Sequence, residues 1–382
     1  MRVQQTVLRE STDLANSLGV WRVFQPQLLL VFGPVHWLKA LTGPLSTQLA
    51  DVPRLGCTSA GDISDQGVSD DACVVTAIQF DSVHVQTVSA SLVQMSDSFA
   101  AGQRLGQQLP QAGLRLVWVL GQGIQINGSA LIDGLVDVLG DQVLISGGLA
   151  GDGMAFKTSF VLDNAGVHPD RVSCVGLYGE GLRVAHGSYG GWQPFGPLRK
   201  VTRCQDNVLF ELDGEPALDI YKRYLGDHAR DLPASGLLFP MAMLGRDEAE
   251  VGLIRTISGV DETQGSLILA GDIDPQGYLR LMHANTDALV SGAEAAAQAA
   301  CPASTCADQG LALLVSCAGR KLVMGDRVDE EVEAVADVFR HKATLAGFYS
   351  NGEISPMPGA LACKLHNQTM TITYLTEIAV SS

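Results

Sequence analysis

Two stretches far apart in the chain carry the same small, hydroxyl and acidic residues in the same order. GCTSAGDIS spans 56–64 and GFYSNGEIS spans 347–355; aligned without a gap they share glycine, serine, glycine, isoleucine and serine, with Asp62 standing in one copy where Glu353 stands in the other. Backbone N–H groups around Gly61 and Gly352, with the hydroxyls of Thr58, Ser59, Tyr349 and Ser350, make a set able to line a pocket for a small polar ligand between two related halves. The competing reading is a turn kept by duplication. Asn351–Gly352 is a strong hairpin signal because both residues tolerate positive φ, and in the first copy Gly61 alone relieves the strain.

Histidine and arginine supply the other candidates. No two histidines have the i, i+4 spacing of a metal-binding helix, but a single axial histidine for a haem needs no sequence partner. His186 is the best placed: it stands in AHGSYGGWQPFG (185–196), where Tyr189, Trp192 and Phe195 among glycines suit a flat apolar slot around one nitrogen ligand. Arg246 in MLGR, Arg255 in LIRTISG and Arg320 in SCAGR sit in apolar, glycine-rich strands. A partly desolvated guanidinium there calls for a carboxylate, either an internal Asp or Glu or that of an amino acid or a haem propionate. His366 and Asn367 in KLHNQTMT precede a strand and fall where they can line a pocket under the second turn.

Other chemistry finds less support. GGLAGDG (147–153) lacks the Lys-Ser/Thr of a phosphate loop and the G-x-G-x-x-G order that opens a dinucleotide-binding helix, so a tight turn before a strand suffices. Serine, histidine and aspartate occur without a G-x-S-x-G elbow. Cys57 becomes a nucleophile only with a histidine beside it, and a buried, inert thiol is the simpler reading. The eight cysteines show no structural zinc spacing, and only Cys301 and Cys306 are close in sequence.

The elements that position these residues repeat. Before the first turn stands an apolar run, PQLLLVFGP (26–34), and after it ACVVTAIQF (72–80), which alternates like a strand; before the second stand GLALLVSCAGR (310–320) and DEEVEAVADVFRHK (329–342), and after it NQTMTITYL (367–375). Both read strand, helix, glycine-flanked turn, strand. A third passage has the same order: LRLVWVLGQG (114–123), ALIDGLVDVLG (130–140), ISGGLAGDG (145–153) and FKTSFVLD (156–163). This predicts an α/β fold (mixed α+β) of two intimately packed, duplicated strand–helix–turn–strand domains with mixed sheets, at 26–216 and 217–375. Residues 1–25 carry a weak helical period and flank the first domain, 170–197 reads as a hairpin, and 236–284 is rich in short strands.

The 382 residues, 46% of them hydrophobic, exceed what one core usually supports. With 25 basic against 41 acidic residues the formal charge is −16, so nucleic acid and anionic membranes are repelled on average and are not expected partners. No apolar run reaches the roughly 18–20 residues that span a bilayer. The start, MRVQQTVLREST, lacks the basic-then-apolar pattern of a secretory signal, which points to the cytoplasm.

GCTSAGDIS, GGLAGDG, the Gly191–Gly196 stretch followed by Val201–Thr202, FELDGEPALDIY (210–221), MLGR, SCAGR, GFYSNGEIS and HNQTMT together resemble, in order, the FIST proteins, with an N-terminal FIST domain over 26–216 and a C-terminal one over 217–375. The resemblance implies a non-enzymatic sensory module, the family having first been proposed to bind small ligands such as amino acids. A chain of these two domains alone is similar to the family's bacterial nitric-oxide-sensing haem proteins. That likeness implies a haem b, nitric oxide as signal, and a partner histidine kinase or cyclic-di-GMP synthase or phosphodiesterase, with biofilm regulation as output; a homo-oligomer is left open. His186 is then the expected ligand of the haem iron, with Tyr189, Trp192 and Arg320 around the cofactor. In the alternative, a small amino acid or carboxylate is held by Ser59, Gly61, Ser350, Gly352, Arg246, Arg255 and Asn367.

Overall fold

The computed structural model describes residues 1–301, 309–357, 359 and 361–378. The fold is α/β with mixed sheets, and the repeated unit occurs three times. The first unit comprises β1 (Arg2–Leu8), α1 (Ser11–Phe24), β2 (Leu28–Phe32), α2 (Val35–Gln48), β3 (Arg54–Cys57), the hairpin β4 (Asp62–Ser64) and β5 (Gly67–Ser69), and β6 (Cys73–Gln79). The second runs β7 (His84–Ser91), α3 (Ser98–Gly106), β8 (Leu114–Gly121), α4 (Gly128–Leu139), β9 (Leu144–Leu149), the hairpin β10 (Val161–Asp163) and β11 (Gly166–His168), and β12 (Arg171–Tyr178).

The third unit begins with β13 (Leu182–Tyr189) and is interrupted by an insertion. That insertion holds β14 (Gln193–Pro194), β15 (Arg199–Gln205), β16 (Val208–Leu212), β17 (Glu215–Pro216), α5 (Ala217–Leu225), β18 (Met241–Leu244), β19 (Glu250–Arg255), β20 (Ile257–Asp261), β21 (Ser266–Leu269) and β22 (Tyr278–His283). The unit then resumes with α6 (Thr286–Ala300), β23 (Gly310–Cys317), α7 (Ala318–Met324), α8 (Asp329–Val338), β24 (Ala343–Ser350), the paired β25 (Gly352–Pro356) and β26 (Cys363–His366), and β27 (Met370–Glu377).

Each unit forms a six-stranded sheet, completed by a neighbour's hairpin. The orders are β1-β6-β2-β3-β10-β11, β7-β12-β8-β9-β25-β26 and β13-β27-β23-β24-β4-β5. In each, the two strands joined through a helix (β2/β3, β8/β9, β23/β24) are parallel and every other pairing is antiparallel. The hairpins are exchanged cyclically, second unit to first, third to second and first to third.

The inner faces of the three sheets meet in one core, where Phe32 stacks on Phe348 at 4.9 Å and meets Trp118 edge-on at 5.9 Å, one ring from each sheet. The helices cover the outer faces, α1 and α2, α3 and α4, and α6 and α8 respectively. The central strands are therefore buried on both sides, which explains their unbroken apolar runs. The strand before each turn also carries a glycine at one register, Gly56, Gly147 and Gly347. A Cβ there would lie 2.1, 1.9 and 1.8 Å from the carbonyl oxygen of Val31, Val119 and Leu314 on the parallel neighbour.

Three sequence expectations change. Residues 2–8 are an edge strand paired with β6 rather than helical flank, their alternation being masked by polar residues on a half-buried edge. The 170–197 stretch is not a hairpin: both edges of β12 are taken by β7 and β8, so the chain turns at Gly179 (φ 142°) and β13 pairs with β27 in another sheet. Asn351–Gly352 is likewise not a hairpin turn, since β24 and β25 lie in different sheets; it passes the chain between them.

Candidate functional site

The paired turns face one another, and the turn of the second unit joins them. Ala60 N donates to Tyr349 O at 2.8 Å, Asn351 N to Leu149 O at 3.0 Å, and Gly151 N to Thr58 O at 3.0 Å. Thr58, Leu149 and Tyr349 stand two residues past Gly56, Gly147 and Gly347, so the three bonds are the same bond repeated around a pseudo-threefold axis. The next residues are Ser59, Ala150 and Ser350. The hydroxyl of Ser59 donates to Asp62 Oδ1 at 2.7 Å and that of Ser350 to Glu353 Oε1 at 2.7 Å. In hairpin register Asp62 lies opposite Phe348, Glu353 opposite Gly148 and Val161 opposite Cys57. The second unit thus has alanine and valine where the others have serine and an acid.

These pairs are sealed. Asp62 and Glu353 have no exposed surface. Burial pushes the Asp62 carboxyl well above the usual range, against the opposing pull of the Ser59 hydrogen bond and of Lys321. Burial likewise raises Glu353 to about 7, although it accepts from Ser350, Thr369 N and Thr369 Oγ1. The ring is closed by backbone, and a Cβ on Gly151 would lie 2.6 Å from Ala60 N. Ser59, Gly61, Ser350 and Gly352 come together as expected of facing halves, but as a packed joint. Cys57 behind them is buried, and burial reinforced by Asp62 holds its thiol far from ionisation, so it makes no nucleophile.

Most of the other candidates tie elements together. Arg320, with no exposed surface, donates through Nε and Nη2 to Glu331 Oε2 at 3.1 and 2.6 Å, through Nη2 to Leu289 O at 2.8 Å, and through Nη1 to Gly190 O. Glu331 also accepts from Ser316 and Tyr349. Arg255 donates to the carbonyls of Asp272, Ile254 and Leu365 at 3.0, 3.2 and 3.1 Å, and burial lowers its pKa to about 10. Asn367 Oδ1 accepts from Thr256 N at 3.5 Å, and Gln368 donates to Thr256 Oγ1 and Leu237 O at 3.0 Å each. The Trp192 indole N–H donates to Gln368 O at 2.8 Å while its ring packs on Met282, Leu289 and Met324. His366 faces Ser355 O at 3.0 Å and is driven down to about 4 by burial. Arg255, Asn367, Gln368 and Trp192 form the seam between the inserted sheet and the third unit, whereas Arg320 ties α6, α8 and the end of β13 within that unit.

Two candidates line open grooves. His186 and Tyr189, with Ser188, Ala299 and Gly359, border a groove of about 370 Å³ along β13. His186 is half-buried, burial lowers its pKa and favours the neutral ring, and its Nδ1 is buried without a hydrogen-bond partner among the described residues. Arg246 borders a second groove of about 480 Å³ on the inserted sheet with Lys200, Thr202 and Tyr278.

A haem requires a nitrogen ligand, apolar walls and cations for its propionates. His186 fits the first, with no acceptor on Nδ1 among the described residues to fix its tautomer. Trp192 and Arg320 do not fit, because one is packed in the seam and the other is held by Glu331. Among the described residues, no group of three or more His, Cys, Asp or Glu is placed to hold a metal ion, and no helix is long and apolar enough to cross a membrane. Cys306, of the close cysteine pair, lies outside the described residues.

Residues 27–215 match the FIST N domain and residues 217–356 the FIST C domain. The chain belongs to the FIST family. FIST domains are sensory modules of signal transduction, which fits a non-enzymatic role. No curated protein matches this FIST chain significantly. Among solved structures, the cyanuric acid hydrolase from A. caulinodans shares 9% identity over 99% of both chains with a TM-score of 0.37. A second structure, titled as cyanuric acid hydrolase and evolutionary innovation by structural concatenation, shares 10% identity over 99% of this chain and 100% of its own, with a TM-score of 0.35. Neither likeness is close enough to carry an argument.

Sequence reasoning missed Glu331, the partner of Arg320, and Lys200, the second cation beside Arg246. Glu331 was legible only as one acid in a solvated helix, DEEVEAVADV, and Lys200 as one charge in a polar strand. Both gain their meaning from contacts made across elements.

Proposed function

We propose that this FIST protein is a non-enzymatic sensor of a small ligand, read at the groove beside His186. The observation that carries this reading is a half-buried imidazole bordering an open groove, its pKa lowered by burial and its Nδ1 unpartnered among the described residues. A ring that burial biases towards the neutral form suits a metal-centred ligand better than an anion. With the sequence resemblance, haem b is the ligand to test first, nitric oxide the signal, and a histidine kinase or cyclic-di-GMP enzyme in the cytoplasm the receiver. Bound haem supplies the diatomic chemistry; the chain supplies His186 as ligand and Tyr189 as a wall. Haem titrated into the purified protein should give a saturable, stoichiometric Soret band that moves with nitric oxide and is lost in His186→Ala. Non-stoichiometric binding removes the haem reading, and an unchanged spectrum in His186→Ala removes the site.

A second reading, a small amino acid or carboxylate, is favoured by Arg246. Of the three candidate arginines, Arg255 and Arg320 are occupied by internal acceptors, whereas Arg246 makes no hydrogen bond or ion pair among the described residues and borders a groove. Calorimetry with small carboxylates tests it: absence of any saturable heat removes the reading.

A further inference from the structure

The inserted sheet has two faces. One packs on α5 through Val201, Met241, Met243, Leu279 and Leu281. On the other, Lys200 lies opposite Tyr278, which also lies opposite Leu244, two residues before Arg246. Strand register and the turn after β18 bring two cations, Lys200 on β15 and Arg246 in that turn, to one concave groove. Neither Lys200 nor Arg246 has a carboxylate within 4.0 Å among the described residues.

The surrounding groups are arranged for a guest that accepts hydrogen bonds. Thr202 Oγ1 accepts from Gly214 N at 3.0 Å, leaving its proton to donate elsewhere. The phenol of Tyr278 makes no hydrogen bond among the described residues, and Tyr278 and Gln276 both border the groove. Nearby acids are engaged: Asp213 holds Arg199 at 3.0 Å and Lys200 N at 2.9 Å, while Asp247 and Asp274 cap backbone N–H groups of their own turns at 3.2 and 2.9 Å. In a chain of formal charge −16, two unpaired cations converging on a groove need a reason other than solubility. An arginine fork matches a carboxylate or phosphate in two parallel hydrogen bonds, with lysine adding a second point of charge.

We propose that the groove formed by Lys200, Thr202, Arg246 and Tyr278 binds a small organic oxyanion, a carboxylate or phosphate bridged by the Lys200 ammonium and the Arg246 guanidinium. The proposal rests on the second reading above and gives it a location, separate from the His186 groove. The oxyanion engages Arg246 side-on, Lys200 from β15 across the intervening β22, and the hydroxyls of Thr202 and Tyr278.

Calorimetry at low salt with succinate and with inorganic phosphate tests it on the full chain. Saturable binding of either probe that weakens about tenfold or more in Arg246→Ala and in Lys200→Ala is expected, as is loss of affinity with added salt; which probe binds decides between carboxylate and phosphate. Arg246→Lys should retain part of the affinity. Both residues are exposed, so the variants should melt like wild type, and haem binding should be unaffected. Binding by wild type that neither alanine variant weakens overturns the groove while leaving the second reading intact; no binding of either probe overturns both.

Discussion

The Ser350 hydroxyl donates to Glu353 at 2.7 Å inside a joint that water does not reach. The same bond joins Ser59 to Asp62, and both of its partners are absent from the second unit, which has Ala150 and Val161. Loss of both members together has a physical reason: an acid buried without its hydroxyl donor loses the bond that offsets its desolvation, and a lone buried hydroxyl is also penalised. The pairs are therefore units of stability for the turns that pass each hairpin to its neighbour.

Glu353 should make stability pH-dependent. Its carboxyl is raised from 4.5 to about 7 in the folded chain, so the folded state holds the proton more tightly than the unfolded one. Its stabilising contribution is full below about pH 4.5 and is lost as pH rises through about 7, amounting to roughly 3 kcal/mol. His366, lowered to about 4, acts oppositely: its contribution is present above about 6.5 and lost as pH falls towards 4. The difference between wild type and Glu353→Gln isolates the first effect. In urea titrations at pH 5 and pH 8 the variant should gain on wild type at the higher pH; an equal difference at both would mean that Glu353 ionises normally.

The shared glycine register predicts a steric failure. A Cβ on Gly347 would stand 1.8 Å from the Leu314 carbonyl oxygen, both being backbone of paired parallel strands. Gly347→Ala should destabilise by about 3 kcal/mol or more. Gly43→Ala, on a helix with nothing within 4 Å of the added carbon, should be neutral or better. Chemical denaturation of both variants checks the contrast.

How far the fold could be read from the chain depends on which contacts are local. The turns at 56–64 and 347–355 align because Ser59, Asp62, Ser350 and Glu353 are retained as pairs. The second unit is harder to see: its Ala-Gly-Asp aligns by letters with Ala60–Asp62, whereas strand register places Asp152 at the position of Gly61, and the acid's place is taken by Val161 after a longer loop. Hairpin exchange leaves no local trace, because β4, β10 and β25 look like ordinary strands until their partners are known. His186 and Arg246 stand out in the sequence by type and setting, and each borders a groove in the fold. The fate of Arg320 and Trp192 is not legible there, since it depends on Glu331 and Gln368 across the fold.

Trp192 separates the seam from the His186 groove experimentally. Its indole N–H meets the Gln368 carbonyl at 2.8 Å, so Trp192→Phe keeps the apolar ring but removes one buried hydrogen bond, at about 1 kcal/mol. The variant should melt slightly lower and leave any haem spectrum unchanged. A displaced Soret band at full occupancy would put Trp192 in the cofactor environment after all.

Arg320 and Glu331 form a buried ion pair at 2.6 Å with no exposed surface on either side chain. Removing one partner leaves an uncompensated charge where water cannot follow, so Arg320→Met and Glu331→Gln should each destabilise by about 3–5 kcal/mol. Removing both with apolar residues of similar volume should cost less than the sum, because the remaining polar groups, Ser316, Tyr349 and the Leu289 carbonyl, are neutral. Urea melts of Arg320→Met, Glu331→Leu and the double variant close the cycle. Strict additivity would show that the pair is not coupled in solution. A large coupling, with small-ligand affinity unchanged in the double variant where it folds, would assign Arg320 to holding α6, α8 and the end of β13 together rather than to binding.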